Sequence, residues 1–217
     1  MVSIAGGLWG GVIHTSFAQL RSDEEMSRQA DLATAYLRRV ADATHAVPGE
    51  PVARAVRMLV EARAAGATVF VCGNGGSAAI ASHLAVDLLV TARRDGTLPL
   101  RTVCLSDSTP TFTAVANDHA YADVFASQVT WLARPGDLVL GISSSGRSAN
   151  IVRALARAHD LTLPTIALVG FDGGPVAETA DLVIYVPVHD SGVVEDVHSA
   201  ICHALARGLA ASCPEAG

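Results

Sequence analysis

TVFVCGNGGSAAIASHLAVD, residues 68–87, is the stretch on which the fold turns. Thr68 to Cys72 is short, β-branched and apolar, as a strand buried on both faces of a parallel sheet is, and Gly73-Asn74-Gly75-Gly76-Ser77 follows at once. A helix then opens. Glycines let the backbone approach a ligand closely, and the unpaired N–H groups of the next helix's first turn suit an anion such as a phosphate ester. On that helix His83 and Asp87 stand four residues apart and share one face. A phosphate cradle and an imidazole–carboxylate pair so close together read as a site for chemistry on a phosphorylated small molecule. Two plainer readings stand beside this one: a glycine-rich turn is common between strand and helix in α/β proteins, and His83 with Asp87 fits a solvated helical pair equally well.

Composition narrows the function classes. The chain has 217 residues, half of them hydrophobic, enough for one α/β domain with a substantial core. A net charge of −6, with no basic cluster longer than Arg38-Arg39 or Arg93-Arg94, argues against a nucleic-acid surface. The chain contains no lysine, which excludes Schiff-base chemistry on a side-chain amine and the lysine of a P-loop, so phosphate must be held by backbone, hydroxyls or arginine. The 4 cysteines, Cys72, Cys104, Cys202 and Cys213, form no close pairs and suit a reducing cytoplasm. Met1 to Phe17 is apolar but has no positive charge ahead of Arg21 and no convincing cleavage site, so no secretory signal is expected. Nor is any apolar run long enough to span a membrane.

Outward from the opening motif, residues 1–20 form an irregular start and residues 21–217 the expected domain. Asp23 to His45 is helical in pattern, with an apolar stripe of Leu32, Tyr36, Leu37 and Val40 and with Ser22 as N-cap. Val47-Pro48-Gly49 breaks it, and Glu50 to Ala65 is a second helix closed by Gly66. Neither carries a catalytic signature, so both read as packing or subunit-contact elements. Leu100 to Leu105 is the second strand, entered from an Arg93-Arg94-Asp95-Gly96 turn; Ser106 to Pro110 starts a helix, Asn117-Asp118 is a turn pair, and Tyr121 to Leu132 is helical again.

Asp137 to Ile142 is a third buried strand, and Ser143-Ser144-Ser145-Gly146-Arg147-Ser148 precedes a helix running to about His159. Four hydroxyls and the amides of a helix start can hold phosphate oxygens without a cation, and one helix start needs fewer serines than this. Arg147 either adds charge there or is solvated. Pro164 to Val169 and Asp181 to Val186 are further strands, separated by Phe171 to Pro175 and a short helix, and Gly192 to Ala211 is the last helix. Strands alternating with helices indicate a doubly wound, five-stranded parallel sheet, with ligands at the carboxyl ends of its strands.

The last helix carries Glu195, Asp196, His198, Cys202 and His203. Glu195 and His203, eight residues apart, lie about two turns apart on nearby faces; His198 and Cys202 are an alternative i, i+4 pair, and spacing does not choose between them. Together with His83 and Asp87, two His–carboxylate pairs on two helices suit a divalent metal such as zinc, the plainer reading being polar residues on the wet side of amphipathic helices.

Five ordered segments, CGNGGSAAIASHLAVD, AVANDHAYADVF, GDLVLGISSSGRSANIVRAL, DGGPVAETADLVIYVP and VEDVHSAICHAL, resemble the sugar-isomerase (SIS) domain of phosphoheptose isomerases across about Asp23 to Ala211. The resemblance implies a homotetramer of single SIS domains with zinc-containing sites between subunits. It implies interconversion of sedoheptulose 7-phosphate and D-glycero-D-manno-heptose 7-phosphate through an ene-diol. It places substrate contacts at Asn74, Gly75, Gly76, Asn117, Asp118, Ser143, Ser144, Ser145 and Ser148, with the second loop's serines on the phosphate; Ser77, beside the first loop's glycines, is expected to help position the sugar phosphate. Metal ligands fall at His83, Asp87, Glu195 and His203, the general base at Asp87 and the general acid at His203.

Two of these positions depart from the family pattern, which has glutamate at 87 and glutamine at 195; an arginine usual at 91 is replaced by Thr91. Aspartate withdraws a carboxylate by about 1.5 Å, one carbon–carbon bond, and Glu195 adds a second carboxylate able to act as base. Two competing functions follow: the same reaction on another seven- or eight-carbon sugar phosphate, or a non-catalytic SIS protein that senses sugar phosphates or binds a partner. Retention of His83, Asp87 and His203 favours catalysis.

Overall fold

The computed structural model describes residues 23–93 and 98–212. The irregular start at 1–20, the Ser22 cap, Cys213 and most of the 93–96 turn lie outside them. The chain divides into two compact units, residues 1–41 and 42–217. Of the first, helix α1 (Asp23–His45) is described; Leu32 and Leu37 on it are 63% and 65% exposed.

The second unit contains α2 (Gly49–Ala64), β1 (Thr68–Gly73), α3 (Gly76–Val86), β2 (Arg101–Cys104), α4 (Thr109–Asp118), α5 (Ala126–Leu132), β3 (Leu138–Ser143), α6 (Ala149–Asp160), β4 (Thr165–Val169), α7 (Gly174–Thr179), β5 (Leu182–Tyr185) and α8 (Ser191–Ala211). All 5 strands are parallel in the order β2-β1-β3-β4-β5. β1, β3 and β4 are buried at every residue, which is why their sequences are continuous apolar runs rather than alternating ones. The edge strand β2 exposes Val103 instead. The chain reverses its direction of travel across the sheet between β1 and β3, and both polar loops leave the carboxyl ends of these two strands. A crevice for a ligand belongs at that switch point.

One large core cluster joins Phe70, Cys72 and Val139 of the sheet to Phe125, just ahead of α5, and to Ile151 and Leu155 of α6. Elsewhere α8 packs on α2 and α3. Gly208 lets α2 come close, since a Cβ there would stand 2.6 Å from Val56 Cγ2. Gly66, at φ +66°, ends α2 with hydrogen bonds from Gly66 N to Arg63 O (3.1 Å) and Ala67 N to Ala62 O (2.9 Å), as a left-handed glycine cap does.

Three local readings need correction. Asn117 and Asp118 are not a turn pair but the last residues of α4, because its helical hydrogen bonds continue to His119 N on Val115 O, 3.0 Å. Tyr121 to Leu132 is not one helix: a 3₁₀ turn at Tyr121–Asp123 precedes α5, as capping at Asp123 N by Ala120 O interrupts the ladder. Asp137 is no strand residue; its carboxylate accepts from Thr68 N and Arg134 N, both at 2.7 Å, and so pins the start of β1 beside β3.

Candidate functional site

The first loop is tight by construction. A Cβ at Gly73 would fall 2.3 Å from the Ser77 carbonyl oxygen, and Gly75 adopts φ 54°, ψ −123°, a conformation open to glycine and costly for other residues. Ser77, at the start of α3, is buried. Asn74 and the buried Asn150 exchange two amide hydrogen bonds of 2.9 Å each, and the Tyr121 hydroxyl donates to Asn74 Oδ1 at 2.9 Å. Ser106 Oγ donates to Gly73 O at 2.8 Å. The loop after β1 is therefore clamped to α6 and to the loop after β2.

The second loop is clamped as well. Ser143 and Ser148 hydroxyls lie 3.1 Å apart, Ser145 Oγ accepts from Arg147 N at 3.3 Å, and Gly146 has φ +67° with its missing Cβ directed at Gly173 O, 1.9 Å away. Val176 N donates to Gly146 O at 2.9 Å, tying this loop to α7. Arg147 is ion-paired with Asp172. Ser144 Oγ donates to Glu195 Oε1 at 3.2 Å, and a Cβ on Gly76 would lie 2.2 Å from Glu195 Oε2. Glu195 thus bridges both loops from α8, whose start is capped by Asp190 accepting from Gly192 N and Val193 N.

Beside these loops a second group forms. Nε2 of His83 and Nε2 of His203 each stand 3.6 Å from Asp87 Oδ2, and the two rings meet edge to face at 5.0 Å. The three residues can present ligand atoms all within 4.8 Å of one another. Asp87 is 8% exposed, whereas both imidazoles reach solvent. At Asp87 the α3 helix widens into a π turn, Asp87–Thr91, with Ala92 N on Asp87 O at 2.8 Å, and Thr91 Oγ1 donates to Asp87 Oδ1 at 2.8 Å. A cavity of about 550 Å³ opens here, lined by Asp87, Thr91, His203, Ala206, Arg207, Ala210 and Ala211.

Of the residues expected from sequence, His83, Asp87 and His203 come together; Glu195 is not in that group and stands at Gly76 and Ser144. Asn117 and Asp118 are exposed and bonded to each other at 2.8 Å. The alternative pair His198 and Cys202 faces the core. Burial lowers His198 to about 4, partly offset by the Val169 carbonyl, and neither ring nitrogen has a hydrogen-bond partner; burial and the Asp87 charge push the Cys202 thiol up to about 12. Sequence reasoning missed Asn150, Tyr121 and Arg207. A polar residue in the first turn after a serine loop was a signal for Asn150, and an arginine four past His203 one for Arg207; nothing marked Tyr121.

Two imidazole nitrogens and one carboxylate oxygen, converging beside an open cavity, fit a divalent cation of nitrogen and oxygen preference that keeps a position for substrate.

The SIS domain family profile matches residues 29–170. The phosphoheptose isomerase of Shewanella sp. (strain ANA-3) is 36% identical over 187 residues, 85% of this chain and 94% of that protein. That of Paramagnetospirillum magneticum is 40% identical over 162 residues, 75% of this chain and 84% of the relative. Among solved structures, the phosphoheptose isomerase of Neisseria gonorrhoeae superposes with a TM-score of 0.76 at 32% identity, covering 85% of this chain and 97% of that one. The Francisella tularensis phosphoheptose isomerase gives 0.77 at 30% identity, covering 86% and 98%. With a parallel sheet in this order, two clamped polar loops at its switch point and relatives matched over nearly their whole length, this chain belongs to the phosphoheptose isomerase family of SIS-domain proteins, whose members are sugar-phosphate isomerases.

Proposed function

We propose that this protein interconverts sedoheptulose 7-phosphate and D-glycero-D-manno-heptose 7-phosphate by proton transfer through an ene-diol. The observation that carries the reading is the convergence of His83, Asp87 and His203 beside two loops rich in backbone amides and hydroxyls. The amides after Gly75 and the hydroxyls of Ser143, Ser144, Ser145 and Ser148 hold the phosphate, and Asn74, Gly76, Ser77, Asn117 and Asp118 orient the sugar. Asp87 removes the proton from the carbon beside the carbonyl, the C–H electron pair forms the ene-diol double bond, and His203 protonates the carbonyl oxygen. Return of the proton to the neighbouring carbon, with the hydroxyl proton passed back to His203, completes the isomerisation. Thr91 holds Asp87 Oδ1 and leaves Oδ2 toward the two imidazoles.

His83, Asp87 and His203 would hold zinc; Glu195, the fourth ligand expected from the family pattern, stands instead at Gly76 and Ser144. A bound zinc ion supplies Lewis-acid polarisation of the substrate carbonyl. A homotetramer using the exposed Leu32 and Leu37 of α1, and a reducing cytoplasm suited to the buried free thiols Cys72, Cys104 and Cys202, belong to the same proposal.

A second reading is an isomerase for a longer sugar phosphate. It is favoured by the small Thr91, Ala206, Ala210 and Ala211 side chains that leave the cavity open at Asp87. Turnover assays with sedoheptulose 7-phosphate and an eight-carbon ketose phosphate decide. Turnover of the seven-carbon substrate is expected; activity on the longer one alone would replace the first reading with the second.

A further inference from the structure

In a chain with no lysine, every permanent side-chain cation is an arginine. In the second loop and along the helix that follows it these are paired: Arg147 with Asp172, Arg153 with Asp123 and Arg157 with Asp160. Arg207 differs. It follows His203 by four residues on α8, so the two share a face one turn apart, and both line the cavity that contains Asp87 and Thr91. Among the described residues Arg207 has no acidic partner, although it faces the same cavity as the Asp87 carboxylate. The remaining wall, Ala206, Ala210 and Ala211, offers no other polar side chain. An exposed arginine lining such a space is available to oxygens of a bound molecule.

We propose that Arg207 is a substrate-contacting residue of the isomerisation, donating to the substrate oxygens on which negative charge collects as the C–H proton leaves. This rests on the isomerase reading. When the proton moves to a carboxylate, the electron pair passes through the new carbon–carbon double bond onto the former carbonyl oxygen, and that oxygen carries charge until His203 delivers its proton. A permanent cation at the same cavity lowers the barrier to this step, because the charge it meets is larger in the transition state than in the bound sugar. Arginine suits the role, as its planar fork can span two neighbouring oxygens. The competing role is structural, a cation in the last turns of α8 favouring the helix dipole.

The full chain, Arg207→Gln and Arg207→Lys are compared at equal metal content. The expected result on sedoheptulose 7-phosphate is a kcat loss of about 100-fold for R207Q with KM little changed, and partial recovery in R207K. A phosphorylated hydroxamate that mimics the ene-diolate is expected to bind R207Q more weakly by a similar factor, with inorganic phosphate binding unaltered. A merely structural role would lower the melting temperature and leave the hydroxamate-to-phosphate affinity ratio untouched, which overturns the proposal. An active wild type with an equally active R207Q overturns it alone. A wild type inactive on every seven- and eight-carbon sugar phosphate overturns the isomerase reading, and this role with it.

Discussion

Thr91 donates a 2.8 Å hydrogen bond to Oδ1 of Asp87, four residues earlier across a π turn, while Oδ2 of the same carboxylate stands 3.6 Å from Nε2 of both His83 and His203. The hydroxyl thus sets which oxygen faces the imidazoles. Replacing Thr91 by valine keeps the shape and removes the donor, at a cost of about 1.5 kcal/mol for a bond to a charged group, or roughly ten-fold in kcat. Thr91→Ser is expected to retain activity. Steady-state kinetics of the two variants check this, and equal loss in both would mean that the methyl group rather than the hydroxyl matters.

Asp87 and Glu195 compete for the role of base, and the geometry separates them. Asp87 is packed against His203, whereas Glu195 bridges Ser144 and Gly76. Asp87→Asn is therefore expected to lower kcat by about 10³-fold, within the usual range for loss of a general base. Glu195→Gln keeps a similar shape and an acceptor for Ser144, and it removes a negative charge from between the two polar loops. Its kcat is expected to stay within about ten-fold of wild type, with a lower KM for the phosphorylated substrate. A collapse of kcat in E195Q to the D87N level would transfer the base to Glu195.

A divalent ion at His83, Asp87 and His203 links binding to stability. With zinc at 100 times its dissociation constant the folded state gains about 2.7 kcal/mol, which raises the melting temperature of a chain this size by roughly 5–10 °C. The rise is expected in wild type and not in His83→Gln. Thermal denaturation with zinc and with chelator, alongside metal analysis of the purified protein, makes the test; an equal rise in both proteins would place the ion elsewhere.

The two loops have glycines that differ in what surrounds them. Gly146 has φ +67° and a Cβ there would meet Gly173 O at 1.9 Å, while Gly75 has φ +54° with nothing within 4 Å. Alanine at 75 has room and incurs only the cost of holding φ 54°, ψ −123°, on the order of 1–3 kcal/mol; alanine at 146 incurs a positive-φ cost and must also move the backbone of the neighbouring loop, so it is expected to cost more. Urea denaturation of the two variants should rank them in that order, and G146A should also weaken phosphate binding.

His198 makes folding sensitive to acid. Desolvation by burial lowers its folded value to about 4 from the ordinary 6.5, the nearby Val169 carbonyl opposing in part. On acidification the unfolded chain therefore binds the proton first. The stabilisation is complete above 6.5 and is lost as pH falls toward 4, by roughly 3 kcal/mol over that window. Denaturant titrations at pH 7 and pH 4.5 should show a drop in wild type that is smaller in His198→Leu.

Periodicity made the architecture legible. Continuous apolar runs at Thr68, Leu138 and Thr165 fit strands buried on both faces, and each is followed by loop residues and a helix, so a parallel sheet with its loops on one edge was the expectation before any coordinate. The i, i+4 pairing of His83 with Asp87 was legible for the same reason, being a property of a single helix. What the sequence alone determined is thus local: the strands, the two loops and that pair. Spacing left His203 open and only the family resemblance pointed to it; the tertiary structure decided that it joins them, that Glu195 turns to Ser144, that His198 enters the core and that Asn74 is locked to Asn150. Successive helix residues are rotated by about 100°, so a small change in how α8 is seated exchanges which of 195, 198, 202 and 203 faces the site, and that seating depends on packing against α2 and α3 far away in the chain.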